Sequence, residues 1–312
     1  MSSPLVSVII PTYNRAAVLP RTLKSVLTQT YQNFEIFVVD DGSTEDIGLV
    51  VKMLNDSRIH HLRLHEHTNA NVARNAGIRA ATGEYIAMLD SDDEWLTQHL
   101  ERRLQKIMEW GCDGIYGSFI RLGDDLRPCP RIARPRRDDE SMPDYVLSGF
   151  VYAVTPSHFY RREAVLETLW DESLKRHQDY DFTIRFGTRF KFMCDPEPTV
   201  IVHWEKQVTR TFDFESRARF FEKYKDQLSP TAAVEYLFYQ MYEAVFFKEP
   251  MATLAYYTGQ LRALKIAINS RLNFFLSQHP HLYFWWRRHP AWHKFILAPR
   301  RAYNRCVIKQ PN

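Results

Sequence analysis

Three short apolar runs, each ending abruptly in polar residues, most constrain the fold of this chain. Residues 6–10 (VSVII), 34–39 (FEIFVV) and 85–89 (YIAML) are continuous apolar segments, and the first two are rich in β-branched residues. Such runs indicate strands that are buried on both faces of a sheet. Segments with apolar residues at helical spacing separate them. The alternation predicts an α/β fold with a mainly parallel sheet and helices on both faces.

Weaker patterns predict the remaining elements. Small residues between positions 69 and 81 indicate a helix that packs closely on the sheet, and 178–189 reads as a helix that begins with acids. The charged, proline-rich stretch 122–144 is expected to be a loop. Ser43 is expected to cap the helix after the second strand. Further strands are predicted at 59–64, 114–120, 152–160 and 200–204.

The polar residues that follow the three apolar runs fall where a parallel sheet binds ligands, beyond the carboxyl ends of its strands. They are residues 12–14 (TYN), 40–43 (DDGS) and 90–93 (DSDD), and Pro11 is expected to end the first strand. Three carboxylates in residues 90–93, here called the acidic turn, repel one another, and Mg²⁺ or Mn²⁺ would offset that repulsion. A solvated turn that caps the next helix is the alternative. The coincidence of all three clusters favours a ligand site.

Some classes of protein are excluded by what the sequence lacks. Neither glycine-rich phosphate loop, GxGxxG or GxxxxGK[ST], occurs, so a metal held by the acidic turn would have to balance the charge of a bound diphosphate. The four cysteines are widely spaced and show no zinc pattern, which indicates reduced thiols in a cytoplasmic protein. No apolar stretch reaches the roughly 18 residues of a membrane span.

Four motifs carry a resemblance to a known family. VSVIIPTYNR, VVDDGS and ARNAGIRAATGEYIAMLDSDD, in that order and spacing, strongly resemble family 2 glycosyltransferases of the GT-A fold. The match is close over residues 5–95 and looser through WDESLKRHQDYDFTIRF at 170–186. The resemblance implies a metal-dependent, inverting hexosyl- or N-acetylhexosaminyltransferase. It would move a sugar from a nucleotide diphosphate, most simply UDP, to a hydroxyl of a glycan or lipid-linked glycan in bacterial polysaccharide or lipopolysaccharide synthesis.

The resemblance also assigns donor-binding roles to individual residues. Pro11, Thr12, Tyr13 and Asn14 match the segment that lines the nucleotide base, Asp40 matches the carboxylate on the uracil or ribose with Asp41 beside it, and Arg74 matches a basic residue near the base and phosphates. Asp90, Ser91 and Asp92 match the DxD motif. Within it Asp92 is the expected metal ligand, while Asp90 is expected on the sugar or ribose and as a second ligand.

Asp179 matches the general base of the family's Glu–Asp motif, but this chain has Gln178 where the family has glutamate. Any role of that glutamate in tuning the site is therefore open. Asp181 is a second candidate base, although two residues further along a helix it faces another direction. His203 ends the last predicted strand, where it would ligate the metal, touch phosphate or be structural.

Three rival functions remain at the level of sequence. A glycoside hydrolase needs two opposed carboxylates and no nucleotide site. A polyprenyl-phosphate sugar synthase resembles this fold, but its phosphate acceptor hardly needs a base at Asp179. A non-catalytic protein that binds nucleic acid or membrane through its basic end would not need intact motifs, and no nucleic-acid partner is expected.

The predicted domains are a catalytic domain at 1–212 and a helical extension at 213–312. The nucleotide-sugar half of the catalytic domain is expected at about 1–121 and its acceptor half at about 145–212. Residues 250–312 contain ten Lys and Arg, no Asp or Glu, and many aromatic residues. This composition predicts short helices on the anionic inner face of a membrane, and hence a peripheral membrane protein. Packing of this segment on the catalytic domain is the alternative, and a homo-oligomer is also left open.

Overall fold

The computed structural model describes residues 3–123, 125–147, 153–204 and 212–264. Over these ranges the strands are β1 (Val6–Thr12), β2 (Phe34–Asp40), β3 (Ile59–Arg63), β4 (Tyr85–Met88), β5 (Glu94–Trp95), β6 (Gly114–Gly117), β7 (Phe119–Gly123), β8 (Pro128–Arg131), β9 (Phe159–Arg161), β10 (Phe192–Asp195) and β11 (Val200–Trp204). The α-helices are α1 (Leu19–Leu27), α2 (Ile47–Leu54), α3 (Ala70–Ala80), α4 (His99–Trp110), α5 (Met142–Leu147), α6 (Arg162–Thr168), α7 (Gln178–Arg189), α8 (Phe214–Tyr224), α9 (Pro230–Phe246) and α10 (Met251–Ala263).

A seven-stranded sheet forms the core, in the order β10-β6-β9-β4-β1-β2-β3. All its neighbours are parallel except β9, which is antiparallel to both β4 and β6. Val8 and Ile10 lie in one buried cluster with apolar residues of α1 and α4. On the opposite face α3 packs so closely that a Cβ on Gly77 would lie 2.6 Å from the Ile9 side chain. The predicted α/β fold with a mainly parallel sheet is confirmed.

Strand β1 continues past Pro11, where the sequence predicted its end. The carbonyl oxygen of Ile9 accepts a hydrogen bond from the amide of Leu89, so Ile9 turns its backbone groups towards β4. Pro11 has the same orientation because residues of a strand alternate. Strand β4 pairs with β1 only as far as Ile9, so the missing amide of Pro11 interrupts no ladder. Thr12 is thereby held at the sheet edge beside Asp40.

The single strand predicted at 114–120 is two strands in different sheets. β6 belongs to the large sheet, whereas β7 joins β5, β8 and β11 in a second, four-stranded sheet. The buried Ser118 lies between them, and its side-chain oxygen accepts a hydrogen bond from the amide of Ala133. The sequence of 114–120, GIYGSFI, gives no sign of this change of sheet.

Three further expectations need correction. The stretch 122–144 is not a plain loop, because its first part forms the β7–β8 hairpin and α5 begins at Met142. Within the described part of 152–160, the strand is confined to Phe159 and Tyr160 because a 3-10 turn with Pro156 precedes it. The cap of α2 is Asp46, whose carboxylate accepts from the amide of Leu49, and not Ser43.

The chain divides into two compact units, residues 1–228 and 229–312. The first contains both sheets and α1 to α8, and the second contains α9 and α10. The division lies 16 residues beyond the expected boundary after 212 because α8 belongs to the first unit. None of the helices in the described ranges is long and apolar enough to cross a membrane. The prediction for 250–312 falls mostly on residues 265–312, which lie outside the described residues.

Candidate functional site

The carboxyl ends of β1 and β2 form a ledge whose polar groups are held by the protein itself. Thr12 and Asp40 are partners in the strand register, and the amide of Asp41 donates to the carbonyl of Thr12 at 2.9 Å. The buried carboxylate of Asp40 accepts from the amide of Ser43 at 2.8 Å and from Arg63 at 3.0 Å. These bonds fix the orientation of Asp40 at the place where a nucleoside is expected to bind.

Asn14 joins the two strand ends. Its backbone lies in the left-handed region at φ 50°, a conformation that asparagine tolerates better than most residues. Its amide donates to the hydroxyl of Ser43, and its side-chain oxygen accepts from the amide of Thr44 at 2.8 Å. The predicted base-lining residue Asn14 thus shapes the ledge through its contacts with residues 43–44.

An aromatic pair covers part of this ledge. The rings of Tyr13 and His67 are stacked, with centroids 3.6 Å apart and planes 15° from parallel. His67 also contacts the carboxylate of Asp41 through Nδ1 at 2.8 Å. Gly42, at φ +72°, permits this approach because a Cβ there would meet the backbone nitrogen of His67 at 2.6 Å. The partly exposed ring of Tyr13 provides the flat surface expected for a base.

The acidic turn follows β4, and its carboxylates have different partners. Asp90 accepts from Arg74 at 2.9 Å, while Asp92 lies 3.6 Å from Arg15. Asp93 is buried and accepts from the amide of His203 at 2.9 Å. Burial and then the charge of Asp90 raise the pKa of Asp92, and burial followed by the charges of Asp90 and Asp92 raises that of Asp93 well above its usual range. The carboxylates therefore lie close enough together that the charge of Asp90 disfavours ionisation of Asp92 and Asp93.

The donor set of this turn fits a hard divalent cation that is shared with a ligand. Within the described ranges no three His, Cys, Asp or Glu side chains are arranged to hold a metal by themselves. Mg²⁺, however, is commonly bound by one or two carboxylates and completed by water and substrate phosphates. Asp90 and Asp92 supply two such carboxylates, each about one-third exposed. His203 is held through Nε2 at 2.6 Å from Glu94, so only its Nδ1 would remain for a metal.

Arg74, on α3, connects the acidic turn to the helix that carries the expected base. Its guanidinium donates to Asp90 at 2.9 Å, to the side-chain oxygen of Gln178 at 2.9 Å and to Asn71 at 3.0 Å. The group also lies over the ring of Trp170, 4.6 Å from the ring centroid. Arg74 is almost fully buried, so these contacts fix it in place. The guanidinium of Arg74 therefore connects the acidic turn to the start of α7.

Asp179 is the second residue of α7, directly after Gln178. Its carboxylate accepts a hydrogen bond from the amide of Tyr180 at 3.0 Å. Burial is the main cause that raises the pKa of Asp179 to about 6, while the Tyr180 amide and the positive charge of Arg74 oppose that rise. A carboxylate with such a pKa is ionised at neutral pH and takes up a proton readily.

Asp181, the alternative base, has a different environment. It is completely buried, and its carboxylate accepts from Arg185, Lys223 and the hydroxyl of Tyr224, each at 2.7 Å. A carboxylate enclosed by three donors has little access to a substrate hydroxyl. The geometry therefore favours Asp179 over Asp181.

Some residues of the site gave no signal in the sequence. Arg63 and His67 contact the two aspartates after β2, yet they come from β3 and the loop behind it, a region without a family motif. Lys223 contacts α7 from a helix 40 residues further along the chain. Arg63 reaches Asp40 because the register of β2 with β3 pairs the two residues, and that register is seen only in the fold.

Known glycosyltransferases resemble this chain in sequence. The family model described as glycosyl transferase family 2 matches residues 7–169, just over half of the 312 residues. The amylovoran biosynthesis glycosyltransferase AmsB of Erwinia amylovora is 32% identical over 210 residues, which cover 63% of this chain and 69% of AmsB. The UDP-Glc:alpha-D-GlcNAc-diphosphoundecaprenol beta-1,3-glucosyltransferase WfgD of Escherichia coli is 37% identical over 119 residues, 38% of this chain and 47% of WfgD.

Among solved structures, S. aureus TarS residues 1–349 in complex with UDP-GlcNAc matches with a TM-score of 0.61 and 18% identity. The superposition covers 89% of this chain and 87% of that chain. At this identity the match establishes the fold, and it agrees with the expected GT-A architecture. The family match over residues 7–169 and the similarity to AmsB show that the chain belongs to glycosyl transferase family 2.

Proposed function

We propose that this protein transfers a sugar from a UDP-sugar to a hydroxyl group of a glycan or lipid-linked glycan, with inversion at the anomeric carbon, in the synthesis of a cell-surface polysaccharide. The relatives support the substrate classes, since WfgD is named for UDP-Glc and a diphosphoundecaprenol-linked GlcNAc, and TarS was crystallised with UDP-GlcNAc. AmsB is named for amylovoran biosynthesis. The specific sugar and linkage depend on pocket shape.

The observation that carries the proposal is the position and pKa of Asp179. It directly follows Gln178, which Arg74 joins to Asp90 of the acidic turn. A base is needed when a sugar hydroxyl attacks, because that hydroxyl must lose its proton as it becomes a nucleophile. A phosphate acceptor is already an anion and has no such need. The pKa of about 6 therefore favours a hydroxyl acceptor over the phosphate of a polyprenyl carrier.

The reaction is a single displacement. The acceptor oxygen forms a bond to the anomeric carbon, the bond from that carbon to the donor phosphate oxygen breaks, and the acceptor proton passes to the carboxylate of Asp179. UDP leaves with the bonding electron pair. Because attack and departure occur on opposite sides of the carbon, the configuration inverts, and no covalent enzyme intermediate is required.

The donor is bound by the ledge and the acidic turn. Tyr13 offers its ring to the uracil, and Asp40, already fixed by Ser43 and Arg63, accepts from the uracil or ribose. The buried hydroxyl of Thr12 has no hydrogen-bond partner among the described residues, and donor binding would supply one. Asp90 and Asp92 would hold Mg²⁺ or Mn²⁺, which when bound neutralises the charge that develops on the diphosphate.

A nucleotide-sugar panel with Asp179→Asn tests the proposal. The wild-type protein is expected to release UDP from one UDP-sugar in the presence of Mn²⁺ and a glycan acceptor. The variant is expected to bind UDP normally and to lower kcat at least about 100-fold, since it keeps the shape of the side chain and loses the proton acceptor. Asp181→Asn is assayed beside it, and turnover that is lost in folded Asp181→Asn but kept in Asp179→Asn would reverse the choice of base. Normal turnover by Asp179→Asn would disprove the assignment.

The basic C-terminal segment supports a further part of this proposal, that the enzyme works at the inner face of the membrane, where a lipid-linked acceptor is found. Ten cations at roughly 1 kcal/mol each near an anionic surface are sufficient for peripheral binding. Liposome flotation tests it. Binding is expected to require anionic lipid, to weaken with salt and to be lost on truncation after Glu249. Equal flotation of truncated and full-length protein would contradict the proposal.

A further inference from the structure

Three residues of α8 contact the base-carrying helix or the turn directly before it. Lys223 donates to Asp181 on α7 at 2.7 Å and to Asp171 at 2.9 Å. Tyr224 donates to the same carboxylate of Asp181. The hydroxyl of Ser216 accepts from the backbone amides of both residues that precede His177, at 3.1 and 2.9 Å. All three attachments lie within a few residues of Asp179.

The segment that α8 holds is not regular in conformation. His177, which comes directly before α7, has a left-handed backbone at φ 59°. A non-glycine residue in this region costs free energy and persists only where its surroundings enforce it. The ring of His177 lies 4.9 Å from that of Phe220 on α8, between centroids. Contacts from α8 thus surround the turn that sets where α7 begins.

The same contacts reach the donor side of the site. Asp171, the second partner of Lys223, lies in a turn whose backbone carbonyls accept from α3. The carbonyl of Asp171 accepts from Asn71 at 2.8 Å, and that of Trp170 accepts from Asn75 at 2.9 Å. Trp170 also supports the guanidinium of Arg74. Lys223 therefore bridges the turn beneath Arg74 and the helix that carries Asp179.

We propose that α8 is a positioning element for catalysis, in which Lys223 and Ser216 hold the first turn of α7 so that Asp179 stays in register with the donor site at Arg74. The inference rests on the function proposed above, because it takes Asp179 as the base. Neither residue needs to touch the substrate. Their effect is geometric, and a displacement of about 1 Å at a reacting group can cost on the order of 100-fold in rate.

The test compares Lys223→Met with Lys223→Arg. The methionine variant retains the length of the side chain but loses both ion pairs, and kcat is expected to fall about 10- to 100-fold while the Kd for UDP stays within about twofold. Arginine retains the charge and is expected to restore most of the rate. Lys225→Met is the matched control, because Lys225 pairs with Glu222 at the surface. This variant is expected to leave kcat unchanged.

A second measurement separates positioning from a general loss of structure. Amide hydrogen exchange in residues 175–182 is expected to accelerate in Lys223→Met and not in Lys225→Met, while exchange in β1 and β2 stays unchanged. Ser216→Ala is an independent variant, because it leaves two backbone amides without their acceptor, and carries the test if Lys223→Met does not fold. An unchanged kcat in the folded variant, or an equal loss of kcat and UDP affinity that arginine does not restore, would overturn the proposal.

Asp179→Asn, assayed in parallel, keeps the two proposals apart. If Asp179→Asn is inactive and Lys223→Met is fully active, the positioning role fails and the proposed function stands. If Asp179→Asn is fully active, the assignment of the base fails, and with it the premise of this inference.

Discussion

The carboxylates on the ledge at the ends of β1 and β2 and the carboxylate of Asp179 on α7 have opposite environments. On the ledge, Asp40 accepts from an amide and an arginine, and Asp41 contacts His67 and accepts from Thr68. On α7, no ion pair within the described ranges holds Asp179, and burial raises its pKa to about 6. Groups that bind must keep one orientation, whereas a group that takes a proton must be left reactive. If the ledge binds the donor and Asp179 is the base, as proposed, hydrogen bonds meet the first need and desolvation meets the second.

Replacement of Asp92 is expected to have the largest effect on the donor side. Asp92→Asn removes a carboxylate from the acidic turn, and turnover is expected to fall at least about 1,000-fold, with weaker UDP binding in Mn²⁺. EDTA should have the same effect on the wild-type enzyme and be reversed by added Mn²⁺. Asp138→Asn, at an exposed aspartate, is the control. Full activity in excess EDTA would show that the acidic turn works without a metal.

Arg74 belongs to both regions, and its replacement should impair both. Lysine retains the charge at this position, but its single nitrogen cannot replace the two guanidinium nitrogens, of which one bonds Gln178 and Asn71 and the other bonds Asp90. Arg74→Lys is therefore expected to lower kcat/KM about 10- to 100-fold, through both kcat and donor affinity. Arg79→Lys on the same helix, where Arg79 is half exposed, is the matched control. A defect in donor affinity alone would place Arg74 entirely on the donor side.

These two regions also differ in how far the sequence predicted them. The motifs predicted the strands β1, β2 and β4 and the polar groups at their ends, because an apolar run followed by a polar turn is a local signal. Helix α7 was predicted with its observed bounds because acids at the start of a helical segment are also a local signal. The contacts of Asp181 with Lys223 and Tyr224 join residues more than 40 positions apart. No periodicity in either segment indicates that they meet.

The errors in the predicted bounds of strands also have a physical cause. Ser118 separates two short segments that enter different sheets, and no proline or change of period in 114–120 marks the boundary. Pro11 was expected to end β1. A proline lacks an amide hydrogen, and whether a strand can tolerate it depends on whether the neighbouring strand, here β4, still pairs at that position. Gln178 was recognised as a departure from the family pattern, while its bond to Arg74 became apparent only with the fold. Strand register and contacts between distant residues cannot be read from a single sequence.

Desolvation of Asp179 should cost stability, which gives a test that needs no substrate. Its folded pKa of about 6 exceeds the ordinary unfolded value, so the folded state binds the proton more tightly and loses stability as pH rises from about 4 to 6. At pH 7 Asp179→Asn is expected to be about 1–3 kcal/mol more stable than the wild type, and at about pH 3, below the unfolded pKa, the two should be equal. Chemical denaturation without metal or donor measures both differences.

The comparison with Asp181 sharpens this test of stability. Asp181→Asn removes a buried charge that holds Arg185 and Lys223, so it is expected to destabilise the protein by about 3–5 kcal/mol at neutral pH. Stability changes of opposite sign for two aspartates that lie two residues apart on α7 would show that their environments, and not their residue type, set their roles. A loss of stability in both variants would mean that Asp179 is also a structural group.

The smallest expected effect concerns Gln178, where this chain departs from the family. Gln178→Glu would place a carboxylate against Arg74 and next to Asp179, so the positive charge that now lowers the pKa of Asp179 would be partly neutralised. The pKa of Asp179 should rise, and the acidic limb of the kcat profile should move up by about 0.5–1 pH unit. Gln178→Met, which breaks the same hydrogen bond without adding charge, should leave the limb in place. Equal profiles for the glutamate variant and the wild type would show that Arg74 does not tune the base, and that its bond to Gln178 serves only to hold α7 against α3.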